Sequence, residues 1–258
     1  MIKYTNIKHL KLKYQKAFGH NNYGKITSRH KGGGLKFIYK KINFNYSNYG
    51  KNSTYAIWLE KHYDPYKKSF LALIKYLDGF KLGLNEYILD IEGLKSSDLI
   101  TFKTTSYSTL GSSKYIKDMF LGETICNIEF NPGSGAKLAR SPGTFAKILA
   151  IDLKYACLKL PSGEIRLFDK TCFATIGKIK SKQTNKKNFK AGLTRNLNIK
   201  PKVRGVAMNA YDHPHGGGEG RSGIGKKFIY TPWKKVKFKT RKKYKYSDQY
   251  ILLRKNLK

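Results

Sequence analysis

The chain has 258 residues and a mass of 29.5 kDa, room for one large domain or two small ones, and its 40 % hydrophobic residues suffice for real cores. Charge is the outlier: 52 Lys and Arg against 16 Asp and Glu give a formal +36, a self-repulsion that calls for a strongly anionic partner. No window holds the roughly 18 uncharged apolar residues of a membrane-spanning helix, and no signal-peptide core stands at the N-terminus, so a soluble protein is expected. Cys126, Cys157 and Cys172 lie far apart with no C-x-x-C pair. That argues against a disulfide framework and against a cysteine-built zinc site, and suits a reducing compartment.

The charge divides the chain. Residues 1–59 hold 12 Lys and Arg and no acid, residues 60–177 hold 16 against 13 acids, and residues 178–258 hold 24 against 3. A solvated, Lys-rich surface accounts for a few units of charge but not for two one-signed blocks. The expected architecture is a nearly neutral, foldable middle between basic arms that cannot pack on each other without polyanion between them.

In the first arm, "GKITSRHKGGGLKF" (24–37) sets Arg29, His30 and Lys31 before Gly32, Gly33 and Gly34, with Lys36 following. Glycine lets backbone N–H groups reach phosphate oxygens, and the adjacent cations neutralise them. The middle reads as short strands. "KSFLALIKY" is an apolar run bounded by polar residues, and "TICNIEF" sets Cys126, Ile128 and Phe130 on one face against Asn127 and Glu129. "NPGSGAKLARSPGTF" (131–145) interleaves glycines with Lys137 and Arg140. "YACLKLPSGEIRLFD" is the clearest hairpin: Ala156, Leu158 and Leu160 face one way, Pro161-Ser162-Gly163 turns the chain, and Ile165 and Leu167 return with Arg166 pointing out. Turn pairs at Asp78-Gly79, Asn131-Pro132-Gly133 and Ser141-Pro142-Gly143 keep the strands short, which favours small barrels over a parallel α/β sheet.

The second arm carries "RGVAMNAYDHPHGGGEGRSGIGKK" (204–227), which looks at first like an active-site loop. Its "GRSGIGKK" ends in Lys227 where a phosphate-binding loop needs Ser or Thr for magnesium, and no buried strand leads into it. His213 and His215 flank a proline and have no third ligand at usable spacing, so no metal site is expected. Asp212-His213 lacks a nucleophile partner, so no catalytic residue is assigned. What remains is glycine for close approach, histidines for stacking or hydrogen bonding, and Arg204 and Arg221 as phosphate anchors. Only eight of the 52 basic residues are arginine, and Asn, Tyr, Ile and Phe abound. This implies an A/T-rich genome that drifts Arg to Lys, so the arginines kept in the Gly-rich segments (Arg29, Arg140, Arg204, Arg221) are those that need a bidentate guanidinium.

"PKVRGVAMNAYDHPHGGGEGR" (201–221) resembles the signature of the universal large-subunit ribosomal protein L2 family. The resemblance runs in register from about residue 19 to 254 through "NNYGKITSRHKGGG", "YDPYKKSFLALIKY", "NPGSGAKLARSPGT", "LPSGEIRL" with "CFATIG", "KAG" with "PKVRG", and "TPW" before a basic tail. It implies a mainly β fold: an N-terminal RNA-binding arm (1–34), an OB-fold barrel (35–124), an SH3-like barrel (125–195) and a basic C-terminal extension (196–258), both extensions having little regular structure. It implies a non-enzymatic constituent of the large ribosomal subunit that binds large-subunit rRNA. Subunit assembly and association, tRNA binding and the peptidyl-transferase region would depend on it. Carried over by motif, Arg29, His30, Lys31, Gly32, Gly33, Gly34 and Lys36 would contact rRNA from the first arm, and Lys137 and Arg140 from the second barrel. Arg195, Arg204, Asn209, His215, Gly216, Gly217, Gly218, Arg221, Lys226, Lys227 and Trp233 would do so from the C-terminal extension. Asp212 and His213 would support the peptidyl-transferase region by positioning rRNA. Implied partners are rRNA, small-subunit rRNA or proteins across the subunit interface, neighbouring ribosomal proteins and, indirectly, tRNA, with no membrane; no cofactor is implied, Mg2+ entering only as an rRNA-bound counterion.

The chain departs from the family in four ways. Only 18 residues precede "GHNNYGKITSRH", which shortens the N-terminal arm; Asn196 and Asn198 replace a tryptophan and a glycine, removing a stacking contact and a tight turn; Ala210 replaces a bacterial proline; and Lys widely replaces Arg. With the A/T-driven composition these point to an organelle-encoded protein of the mitochondrial matrix ribosome, with plastid or bacterial cytoplasm as alternatives. The first 18 residues lack acids but also lack arginine, which makes import from the cytosol the weaker reading. Two rivals remain: a DNA-coating protein, which explains the charge but needs no Gly-His loop, and a nucleic-acid enzyme, which needs catalytic acids beside His213.

Overall fold

The computed structural model describes residues 7–13, 17–46, 54–102, 109–181, 190–220, 222–236, 241–242 and 244–254. In chain order the strands are β1 Lys11–Lys13, β2 Ile38–Lys40, β3 Thr54–Asp64, β4 Ser69–Tyr76, β5 Asn85–Leu89, β6 Leu99–Phe102, β7 Ser113–Tyr115, β8 Thr124–Cys126, β9 Ile128–Glu129, β10 Ala136–Leu138, β11 Ala146–Ile151, β12 Tyr155–Lys159, β13 Ile165–Asp169, β14 Phe173–Ile176 and β15 Ile251–Leu253. The α-helix α1, Ala191–Asn196, is six residues long. The chain divides into two compact units, one of residues 1–14, 37–185 and 247–258, the other of residues 15–36 and 186–246.

The first unit is mainly β. Eleven strands form one continuous sheet in the order β15-β13-β12-β11-β8-β14-β7-β6-β3-β4-β5, in which β6 meets β7 in parallel, Phe102 to Ser113. β4 is flanked by β3 and β5 and is buried along most of its length, which is why its sequence is an apolar run rather than an alternation. Full burial of Leu71, Leu73, Ile74 and Leu89 contributes roughly 1.5–3 kcal/mol per side chain. Two cores result. The first, around β3 to β6, also draws Cys126, Ala136, Phe173 and Ile179 from beyond residue 125; the second contains Ile116, Ile125, Ile148, Leu158 and Phe168.

Three expectations are corrected. In "TICNIEF" the alternation breaks at Asn127, whose φ of +49° rotates the chain between β8 and β9, so Asn127 and Glu129 are buried while Phe130 is half-buried. In the hairpin, Leu158 pairs with Arg166 and Ala156 with Phe168, so Arg166 shares the inward face and Ile165 and Leu167 do not. The guanidinium is accommodated there by lying over the rings of Phe130 (4.5 Å) and Phe168 (5.7 Å), contacts a planar cation makes with little loss on desolvation. The third correction concerns the arms, which do pack on each other. Residues 15–36 and 186–246 form the second unit, and the end of the chain adds β15 to the sheet edge beside β13.

Candidate nucleic-acid interface

The second unit is closed by backbone bonds between its two basic segments. Gly32 N–H donates to Asn198 O (3.1 Å), Leu35 N–H to Asn196 O (3.2 Å) and Lys200 N–H to His30 O (2.9 Å), while His30 Nδ1 donates to Pro201 O (3.0 Å). Main-chain groups meet and the cationic heads stay outside: Arg29, Lys31, Lys36, Arg195 and Lys200 are exposed. The self-repulsion expected to hold the arms apart is therefore spread over solvated side chains. Asn198 takes φ +68°, the left-handed region that Asn tolerates better than other non-Gly residues, and its N–H donates to Arg195 O (2.9 Å). The tight turn expected to be lost with the family's glycine is thus present.

The Gly-His loop is organised by its histidines. His213 and His215 are each 7 % exposed, their rings 4.8 Å apart, and His213 lies flat against Gly205, with no room for a side chain there. The His215 N–H donates to Nδ1 of His213 (3.1 Å), and the Tyr230 N–H donates to Nε2 of His215 (2.9 Å). A ring nitrogen that accepts a backbone N–H carries no proton. Neutral His213 therefore holds its proton on Nε2, leaving neither nitrogen as a free base. Its burial, with His215 and Arg29 close by, lowers its pKa below the ordinary 6.5.

The loop backbone is drawn in by Gly216 N–H to His213 O (2.9 Å) and Gly217 N–H to Met208 O (3.0 Å). A Cβ on Gly216 would overlap the carbonyl oxygens of Met208 and Asn209. The turn at Ala210 is held without proline, by Asp212 N–H to Asn209 O (3.0 Å). Arg29 brings the first arm to this loop, its guanidinium 5.6 Å from the Trp233 ring centre. Asn209, Asp212, Gly218, Lys226, Lys227 and Arg204 are exposed beside it, and Arg221 lies outside the described residues. Gly216, Gly217, Gly218, His215, Tyr230, Lys226 and Lys234 line an open cavity of about 680 Å3.

Lys137 and Arg140 belong to the first unit. Arg140 lies over the Phe44 ring (4.8 Å), as does Lys67 (5.3 Å); burial, reinforced by Arg140 and opposed by Asp64, lowers the Lys67 pKa. The loop before them is anchored by Glu129, whose buried carboxylate accepts N–H bonds from Gly133 (3.2 Å), Gly135 (3.0 Å) and Phe173 (3.0 Å). Lys67, Glu129 and Tyr230 are residues that sequence reading missed. An acid beside a Gly-rich basic loop was the available signal for Glu129; the others act through a ring position or a backbone amide that leaves no sequence trace. Among the described residues no cluster of three His, Cys, Asp or Glu could hold a metal, and the three cysteines are buried and unpaired.

Neutral His213 makes the loop pH-sensitive. A His pKa lowered by folding contributes stability that is fully present above the free value of about 6.5 and is lost as pH falls from there through the lowered folded value. Hydrogen-exchange protection of the His215 amide, whose acceptor is His213 Nδ1, is expected to fall below pH ~6.5; protection constant down to pH ~5 would contradict the arrangement.

Comparison with known proteins matches both halves of the chain. The family model for the RNA-binding N-terminal domain of ribosomal proteins L2 matches residues 7–102, and that for their C-terminal domain matches residues 109–234, which contains the whole second core. Large ribosomal subunit protein uL2c of Huperzia lucidula is 44 % identical over 92 % of this chain and 84 % of the relative. For uL2c of Psilotum nudum the figures are 43 %, 98 % and 90 %. Large ribosomal subunit protein uL2 of Tropheryma whipplei (strain Twist) is 42 % identical over 98 % of this chain and 90 % of the relative.

Proposed function

The chain belongs to the ribosomal protein L2 family, and from that premise we propose how its residues serve the large ribosomal subunit. It is a structural, rRNA-binding constituent of that subunit and not an enzyme, and its mainly β body fits the family's OB and SH3-like folds. The second unit is its main rRNA-binding surface. One observation carries this reading: the two basic segments join through their backbones and leave Arg29, Lys31, Lys36, Arg195, Arg204, Lys226 and Lys227 facing outward around glycine backbone.

In this reading exposed Gly218 lets rRNA phosphates approach the main chain, while Gly216 and Gly217 fold the loop so that it can be presented to rRNA. Arg29, stacked on Trp233, and Arg204 and Arg221 grip phosphates bidentately, while Gly32, Gly33 and Gly34 keep the first arm close to RNA. Lys137 and Arg140 provide a second contact from the first unit. Asp212 and Asn209, exposed on the loop, meet rRNA in the peptidyl-transferase region; His213 and His215 shape that loop and transfer no proton. Mg2+ enters with the rRNA as its counterion. The proposal includes contact with the small subunit and support of tRNA binding.

The ribosome is read as organellar. The Lys-for-Arg composition suggests a mitochondrial one, and the uL2c relatives fit a plastid equally well; co-fractionation with mitochondrial or plastid ribosomal markers separates the two. Arginine swaps test the surface itself. Arg29→Lys, Arg140→Lys, Arg204→Lys and Arg221→Lys keep the charge and lose the fork, so each is expected to weaken binding to a large-subunit rRNA fragment by roughly 1–2 kcal/mol, with the salt dependence nearly unchanged. Unchanged affinity in all four would sink the assignment.

A further inference from the structure

The turn of the Gly-His loop carries one large side chain that its own fold does not use. Tyr211 is 99 % exposed, so its ring packs on nothing among the described residues. The backbone that presents it is nevertheless pinned. Asp212 N–H and His213 N–H donate to Asn209 O (3.0 and 3.3 Å), and Gly217 N–H donates to Met208 O (3.0 Å). Buried His213 and His215, their rings 4.8 Å apart, fix the residues that follow. A tyrosine has only two side-chain torsions, and on a pinned turn it loses little entropy on meeting a flat partner.

We infer that Tyr211 is the stacking platform for one unpaired rRNA base, an inference that rests on the function proposed above. Its two flanks sort the parts of a nucleotide. On one side Ala210 lines the open cavity of about 680 Å3 together with Gly218, Lys226 and Lys234. Both lysines and Gly218 are exposed, and cations beside glycine backbone suit a phosphate. On the other side Asp212 is exposed; a carboxylate repels phosphate and accepts the N–H groups of a base edge. Phosphate therefore belongs over the cavity and the base at the tip, where the phenol ring offers its face. A protein segment fits less well. One ring between alanine and aspartate makes no contiguous apolar patch, and its area falls far short of the roughly 800 Å2 per partner of a protein–protein contact.

Binding of the full-length chain to protein-free large-subunit rRNA, compared among wild type, Tyr211→Phe, Tyr211→Leu and Tyr211→Ala, tests the assignment. Because the ring packs on nothing, all three variants should melt within about 2–3 °C of wild type. Stacking needs a π-face and no charge. Tyr211→Phe should therefore bind within about twofold of wild type, and Tyr211→Leu and Tyr211→Ala about tenfold more weakly, with the salt dependence unchanged. Leucine binding as well as tyrosine would overturn the platform, since an apolar contact needs no ring. So would a defect confined to incorporation into large subunits with rRNA affinity intact, the mark of a protein partner. Failure of the wild-type chain to bind the rRNA would instead overturn the proposed function, so the two failures are distinguishable.

Discussion

Gly216→Ala is expected to cost roughly 2 kcal/mol in the Gly-His loop and to weaken rRNA binding about 30-fold. The methyl group would overlap two carbonyl oxygens, those of Met208 and Asn209, and backbone cannot yield as a side-chain end can. The loop would open, Gly216 N–H and Gly217 N–H would lose their acceptors on His213 and Met208, and the exposed cations would lose their common frame. Gly192→Ala is the matched control: the position has no atom within 4 Å of an added Cβ and no positive φ, so affinity should stay within about twofold, the ±0.5 kcal/mol typical of featureless surface sites. Equal affinity for both variants in a filter-binding titration would show that the loop's shape does not matter.

Glu129→Ala has the largest expected effect on stability. It removes the acceptor of three backbone N–H groups, from exposed Gly133 and from buried Gly135 and Phe173, the last two in a place where water cannot replace it. At 1–3 kcal/mol per stranded donor, and allowing for partial relaxation, the loss is roughly 3–5 kcal/mol. That corresponds to a fall in Tm of about 10–15 °C for a chain of this size. Glu129→Gln keeps one oxygen acceptor but turns an NH2 toward an N–H, and should fall between wild type and alanine. Because two of the three donors belong to the loop before Lys137 and Arg140, rRNA affinity should fall with stability. A thermal scan in which Glu129→Ala melts within 2–3 °C of wild type, the shift of about 1 kcal/mol, would contradict the anchoring role.

Much of this could be read in the sequence where one force dominates. β4 is an apolar run because both faces of the sheet are covered along it, and the basic loops show in composition because phosphate neutralisation needs many cations. Reading failed where a single residue reverses a pattern. Asn127, at φ +49°, sends Glu129 inward; Arg166, stacked on Phe130 and Phe168, takes an inward place that charge alone would deny it. The meeting of the two arms was hidden for another reason: Gly32, Asn198, His30 and Lys200 join mainly through main-chain groups, which every residue carries. The Gly-His loop was legible as non-catalytic because Asp212 and His213 lack a nucleophile, but not as a knot of histidines accepting backbone N–H bonds. Asn198 shows the converse: a departure from the family pattern was visible, and its conformational equivalence to glycine was not.

The most direct test of the central claim is sedimentation of cell or organelle lysate in magnesium-containing buffer. The chain should travel with the large ribosomal subunit and leave it only in high salt or after RNase, as an electrostatically held rRNA-binding protein must. Its recovery free at the top of the gradient, with intact large subunits below, would contradict the account.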